Sequence, residues 1–420
     1  MKTGFYFILA AQFFSALADN VLLIVAIALL RDMDSPAAYE PLLKTGFTLS
    51  YVVLAAFVGA FADSMPKKRV MLISNGIKIV GCGLLFFHVH PIAAYALVGL
   101  GAAAYSPAKY GILTEYLPAR WLVVANGWIE GLTVAAIIGG TMMGGQLIDP
   151  EKANFLLSID MPYIDTGIST VMQMAQTVVI GLYLVAAFFN LYVPDTGVDH
   201  KPLKTNPLYL IHEFSHCFTL LWRDKLGQIS LGVTTLFWGA GATLQFVVLE
   251  WSSVQLGLDL THATIMQGMV AVGVAIGSII AARYVTLRRS VKVISLGIAM
   301  GFGIVGMIFV HHEWIAVSMM LVLGILSGMF VVPMNALLQH RGHTLMGSGH
   351  SIAVQNFNEN FSILVMTGVY SSLLYFHLSI NTIVVLFSAF MVSTMWMLKK
   401  RHEANQRIRD DVSTLDDSHL

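Results

Sequence analysis

Apolar stretches of about 20 residues recur near 4–30, 42–62, 70–88, 92–114, 121–146, 167–193, 229–250, 263–283, 290–311, 313–333, 345–370 and 377–398. Each is long enough to cross the ~30 Å hydrocarbon core as a helix, and a bilayer admits only segments whose backbone polar groups are satisfied internally. The pattern therefore predicts an all-α integral membrane protein of twelve transmembrane helices. The longest polar connection, 194–228, opens at Pro194 and is punctuated by Pro202 and Pro207. It divides the chain into an N-terminal six-helix bundle, 1–193, a linker holding a short interfacial helix, and a C-terminal six-helix bundle, 229–400, followed by a charged tail, 401–420.

Only 11% of residues are charged, against roughly a quarter in soluble domains, which excludes an ordinary soluble enzyme. Formal net charge is zero, so no basic field points to nucleic acid as a partner. Two cysteines, Cys82 and Cys217, are too few for a disulfide framework. Lys2, the apolar run from Phe5 and the small residues before Asp19 imitate a secretory signal. The run continues through "VLLIVAIALL" to Leu30, which favours an uncleaved first helix.

Positive charge sets the orientation. With the N-terminus cytoplasmic, twenty of the 24 basic residues fall on that side, from Lys2 through the Lys67–Arg69 loop to Arg407 and Arg409. The far side keeps Arg31, Lys44 and Lys152, and Lys78 lies inside a helix. Both termini are expected to be cytoplasmic.

Two related halves are visible as internal repetition. "GAFADSMPKKRVMLISNGI" from Gly59 resembles "GSIIAARYVTLRRSVKVISLGI" from Gly277, and "YSPAKYGIL" aligns loosely with "VVPMNALLQ". Paired, pseudo-symmetric six-helix halves are a transporter architecture, with the site near mid-membrane between them.

In the loop after helix 2, Gly59, Asp63, Lys68 and Arg69 resemble the signature loop of the major facilitator superfamily, with Ser64 and Pro66 departing from it. The resemblance implies a cytoplasmic gate in which the acid holds a helix end or a neighbouring arginine in one state. A merely positive-inside loop accounts for Lys67–Arg69 but leaves Gly59 and Asp63 unexplained. Gly140 and Gly144 form a small-xxx-small face that suits close helix packing.

"HEFSH", His212–His216, is a complete H-E-x-x-H, which on a helix aligns two imidazoles for zinc. Its segment, Leu208–Trp222, is too short to span and lies in the linker, and no acid nearby is marked as a third ligand. Ile211, Phe214, Phe218 and Leu221 form one apolar stripe, with His212, His216, Thr219 and Arg223 opposite. An interfacial helix is the better reading, and neither metal nor cofactor is expected.

Polar residues inside apolar helices need water, a ligand or one another. They are Asp19 and Asn20 in helix 1, Lys78 in helix 3, Asn126 and Glu130 in helix 5, Gln245 in helix 7, and Gln355, Asn356, Asn358, Glu359 and Asn360 in helix 11. Helices 1 with 5 and 7 with 11 are the expected cavity-lining pairs, so these residues mark a substrate path; amides that merely stitch helices together are the alternative.

"AAQFFSALADN", "GAAAYSPAKYGIL", "VVANGWIEG", "TLFWGAGATL", "FVVPMNALLQ" and "IAVQNFNEN" resemble, in order over nearly the whole chain, the bacterial lysophospholipid transporter family. The resemblance implies an inner-membrane protein, not an enzyme, that brings lysophospholipid, chiefly lysophosphatidylethanolamine, to the cytoplasmic leaflet. There a cytoplasmic acyltransferase/acyl-ACP synthetase partner would reacylate it. It marks Asp19, Asn20, Lys109, Asn126, Glu130, Asn356 and Glu359, while Gln245 stands where the family carries arginine and His340 where it carries an acid. The expected mechanism is alternating access by a monomer, with Asp19 toward the headgroup ammonium, a cation or a proton, and Lys78 toward the phosphate or a carboxylate. A polyspecific drug or metabolite antiporter is the alternative.

Overall fold

The computed structural model describes residues 3–36, 39–87, 89–149, 170–258, 260–408, 410–413 and 415. Lys2, Lys152 and Arg409, the start of the sixth expected span at 167–169 and the tail beyond 415 lie outside the described residues.

The first half contains α1 (Thr3–Asp32), α2 (Tyr39–Val53), α3 (Ala55–Asp63), α4 (Lys67–Leu84), α5 (Pro91–Tyr116), α6 (Leu122–Ile148) and α7 (Val171–Leu191). Next comes α8 (Pro207–Arg223), in the connection between the halves. The second half contains α9 (Gly227–Leu256), α10 (Leu260–Tyr284), α11 (Ile294–Gly306), α12 (Glu313–Met346), α13 (Ser348–Tyr375) and α14 (Ile380–Ile408). Among the described residues nine spans, each a helix with any short 3₁₀ extension, are long and apolar enough to cross a bilayer alone; α2 and α3, bent by 62° about Leu54, together form a tenth. Helices α5 and α13 have 26 and 28 residues, about 39 and 42 Å, but are too polar to pass the same test. With them the passes among the described residues number twelve, as the apolar stretches of the sequence predict.

Local chemistry sets the helix ends. Asn206 accepts the N–H of Leu208 ahead of Pro207 at the first position of α8, and Thr170 with Gln173 closes a capping box on α7. Gly257, at φ +65°, ends α9 in the left-handed conformation that favours glycine. Pro107 and Pro333 sit inside α5 and α12 without ending them, as membrane helices allow where neighbours satisfy the freed backbone groups.

Close packing rests on small residues. Gly140 lies against Asn20 and Leu17 of α1, and Gly144 against Ile24, so the small-xxx-small face of α6 is the α1 contact. In the second half Gly273 and Gly277 of α10 meet Gly324 and Gly328 of α12 so closely that a Cβ at Gly277 or Gly324 would overlap facing backbone. The halves meet where α6 packs on α10 and α12, and where α13 packs on α2, α3 and α5.

Two segments differ from expectation. Helix α14 runs ten residues beyond 398, Asn405 donates to the Lys225 carbonyl at 3.1 Å, and Asp411 and Leu415 are buried, so this part of the charged tail is docked. On α8 the inward side is Leu210, Cys217 and Leu221, while Ile211 is exposed, a rotation of the expected stripe. His212 and His216 are exposed. Among the described residues no cluster of three metal-ligating side chains exists.

Candidate functional site

Polar residues lie in layers along the boundary between the halves, beginning at the end marked by the Lys67–Arg69 loop. There the Asp63 carboxylate, at the end of α3, accepts the backbone N–H of Gly349 at 2.7 Å and of His350 at 3.1 Å. These are first-turn N–H groups of α13, which have no partner within their own helix. A carboxylate also suits the positive end of the helix dipole. His350 Nδ1 lies 2.7 Å from Asp63 Oδ2 and its Nε2 3.7 Å from Glu213 of α8. Gly59, one turn before Asp63, faces Ala353 and the backbone of His350 and Gly349, so no side chain fits between the helices.

Lys67 is the basic residue that folds into this cluster, 2.8 Å from Asp63 and 3.2 Å from Glu115. Lys68 is half-buried and Arg69 exposed, while Lys67 is the one whose ammonium meets Asp63. The chain turns at 64–66 between α3 and α4, and this turn brings Lys67, the first residue of α4, inward beside Asp63. Ser348 donates to Glu115 at 2.6 Å, a second link between the halves.

One to two turns deeper, at about 6 Å along α6, Asn126 and Gln339 exchange two amide hydrogen bonds of 2.8 and 2.9 Å. Glu130 follows at about 12 Å, accepting from Tyr110 at 3.3 Å and Asn335 at 3.5 Å. Gln355 donates to Asn335 at 3.1 Å and to Glu359 at 2.8 Å, and Asn356 donates to Ser106 at 2.9 Å. Asn126, Glu130, Asn356 and Glu359 thus fall in three hydrogen-bonded groups that cross between the halves: Asn126 with Gln339, Glu130 with Asn335, Gln355 and Glu359, and Asn356 with Ser106.

Deeper still, Asp19 pairs with Lys78 at 2.8 Å and accepts from Tyr183 at 2.7 Å. Lys78 also donates to Ser15 at 3.0 Å, and Ser15 to Asn75 at 2.9 Å. The pair borders a small cleft of about 50 Å³ whose walls include Gln12, Tyr51, Tyr105, Ser106 and Lys109. Lys109 also rests on the Tyr110 ring at 4.2 Å. Ser106 joins this cleft to Asn356.

Two expected site residues stand apart. Asn20 turns back to donate to the Ala16 carbonyl at 2.8 Å, its Cβ packed on Gly140. Gln245 is exposed, and its backbone carbonyl accepts from Gln267 at 2.7 Å. Ser15, Asn75, Asn335 and Gln339 are partners that sequence reading passed over, although helical spacing marks them. Ser15 precedes Asp19 by four positions, Asn75 precedes Lys78 by three, and Asn335 and Gln339 are four apart.

A sequence profile described as Major Facilitator Superfamily matches residues 8–367. The chain is 38% identical over 372 residues to "Lysophospholipid transporter LplT" of Yersinia enterocolitica, covering 88% of this chain and 87% of the relative. It is 40% identical over 365 residues to the protein of the same name from Serratia proteamaculans, covering 87% of each. Among solved structures, a bacterial homologue of the iron transporter ferroportin aligns with TM-score 0.70 at 13% identity, covering 97% of this chain and all of the other. The transporter FucP aligns with TM-score 0.69 at 12% identity, covering 95% and 98%.

Proposed function

The chain belongs to the Major Facilitator Superfamily, and on that premise we propose that it carries lysophospholipid, chiefly lysophosphatidylethanolamine, across the bacterial inner membrane to the cytoplasmic leaflet by alternating access. It is a transporter, not an enzyme. Residues 1–193 and 229–400 act as the two moving halves, linked by 194–228, with both termini cytoplasmic and the protein working as a monomer. In the inner leaflet a cytoplasmic acyltransferase/acyl-ACP synthetase consumes the product.

The observation that carries this reading is the Asp19–Lys78 pair opening on a cleft beside Lys109. A phosphoethanolamine headgroup is a zwitterion, and this pair with its neighbour lysine is the reverse image. The ammonium binds Asp19, the phosphate binds Lys78 and Lys109, and the single acyl tail stays in apolar surroundings. Asn126, Glu130, Asn356 and Glu359 lie between the cleft and the latch at Asp63, on the path the headgroup takes when that end opens. Asn20 and Gln245 enter the path only after the helices move. The latch is closed here, so this conformation receives lipid from the outer side. Loading drives closure only insofar as the headgroup binds the occluded state more tightly.

Uptake of labelled lysophosphatidylethanolamine into spheroplasts tests the reading, comparing wild type with Asp19→Asn and Glu359→Gln at equal expression. Both variants are expected to lose most uptake. Normal uptake by both would refute the site.

A further inference from the structure

Lys78 is 1% exposed, and its ammonium is held from several sides. Asp19 Oδ2 lies at 2.8 Å and Ser15 Oγ at 3.0 Å, with the Tyr105 and Tyr183 ring centroids at 5.0 and 5.7 Å. Asp19 is the open member, its side chain 18% exposed against 2% for that of Lys78. The cleft therefore reaches the carboxylate, and the lysine closes it from behind. Around Asp19 stand Lys78 from α4, Tyr183 from α7, Tyr51 from α2, and Tyr105 and Lys109 from α5; on α6, Glu130 lies within electrostatic reach of Lys109.

We propose that Lys78 is a tethered counter-ion that takes the place of a coupling cation at Asp19, so that the unloaded protein needs no sodium ion there. The inference rests on the transport reading above and adds the source of the driving force. A lone membrane carboxylate must be neutralised on each return, because an unpaired charge is costly away from water. Here the unloaded pair sums to zero. A phosphoethanolamine headgroup also sums to zero, and its entry converts one ion pair into two, ammonium on Asp19 and phosphate on Lys78 with Lys109. At Asp19 and Lys78 neither leg of the cycle leaves a net charge for a sodium gradient or the membrane potential to act on. As far as this pair is concerned, the lipid's own concentration difference is what drives net movement.

The test uses the purified protein in phosphatidylglycerol–phosphatidylcholine vesicles, following fluorescent lysophosphatidylethanolamine in sodium or choline buffer. Wild type is expected to move it at the same rate in both, within about twofold, and Lys78→Arg likewise. Lys78→Gln is expected to lose about tenfold in choline and to regain part of that loss in sodium, with Lys109 alone left for the phosphate. Asp19→Asn with Lys78→Gln removes both charges and is expected to be indifferent to sodium, with Glu359 present throughout as a control. A sodium requirement in wild type or Lys78→Arg, or equal rates for Lys78→Gln in both buffers, overturns the proposal. Melting curves without lipid provide a readout independent of substrate: sodium should raise the melting temperature of Lys78→Gln and leave wild type unchanged. Those melting responses without lysolipid movement would sink the substrate reading and leave the counter-ion standing; a flat Lys78→Gln curve, or a wild type stabilised by sodium, would do the reverse.

Discussion

Asp63 accepts the backbone N–H of Gly349 at 2.7 Å, so a residue of the first half caps a helix of the second. A side-chain cap is worth about 0.5–2 kcal/mol, and a difference of one or two kcal/mol is a factor of about 5–30 in a two-state ratio. Asp63→Ala is therefore expected to shift the protein toward the state open at this end. Spin labels on α3 and α13 should report the longer distance. Lysolipid uptake should fall at least about fivefold, while the dissociation constant changes less than about twofold. An unchanged uptake rate would remove the latch from the cycle.

Gly59→Leu tests the same closure by volume instead of charge. A Cβ at this position already stands 2.9 Å from the Ala353 methyl and 3.1 Å from the His350 Cα, and the rest of a leucine has nowhere to go while α13 is seated. Overpacking of this kind costs about 1–3 kcal/mol, charged here to the closed state alone. Uptake should fall as in Asp63→Ala, with the same lengthened distance. Closure at the wild-type distance would show that α13 does not press on Gly59 in the closed state.

Much of this layout was legible in the sequence because membrane helices declare themselves by length and hydropathy, and a lysine such as Lys78 at depth has few neutral explanations. What was hidden depended on contacts between distant segments. The cap that Asp63 provides leaves no mark near Gly349, since capping is normally a local motif and here donor and acceptor are 286 positions apart. The choice of Lys67 over Lys68 and Arg69 followed from the turn at 64–66, whose course a loop reading does not fix. The 62° bend at Leu54 has neither proline nor glycine at the break. Helices α5 and α13 are long but broken up by polar side chains, among them Ser106, Lys109, Asn356 and Glu359, so the residues proposed for the path also weaken the signal of the span.

Asn126 and Gln339 lie behind the Asp63 cluster as a reciprocal amide pair buried between α6 and α12. Intramembrane hydrogen bonds average about 0.6 kcal/mol and reach about 1.7. A double-mutant cycle with Asn126→Ala and Gln339→Ala should give a coupling of about 0.5–2 kcal/mol, read from the closed-state population. Additive single effects would mean that the two amides do not act as a pair.

Cys217 reports on α8, which seats Leu210, Cys217 and Leu221 against the helices beneath it. Burial, with the Glu213 carboxylate adding to it, pushes this thiol from its ordinary 9 up to about 11. The thiolate is the reactive form, so at pH 7 the reactive fraction is about 10⁻⁴, against about 10⁻² for an unshifted thiol. In a Cys82→Ser background, maleimide labelling should rise about tenfold per pH unit and go on rising past pH 9. Because the docked state holds the proton more tightly, seating of α8 should also weaken as pH climbs from 9 toward 11, which steepens the upper part of the profile. A rate that levels off near pH 9 would place Cys217 in water and α8 off the latch.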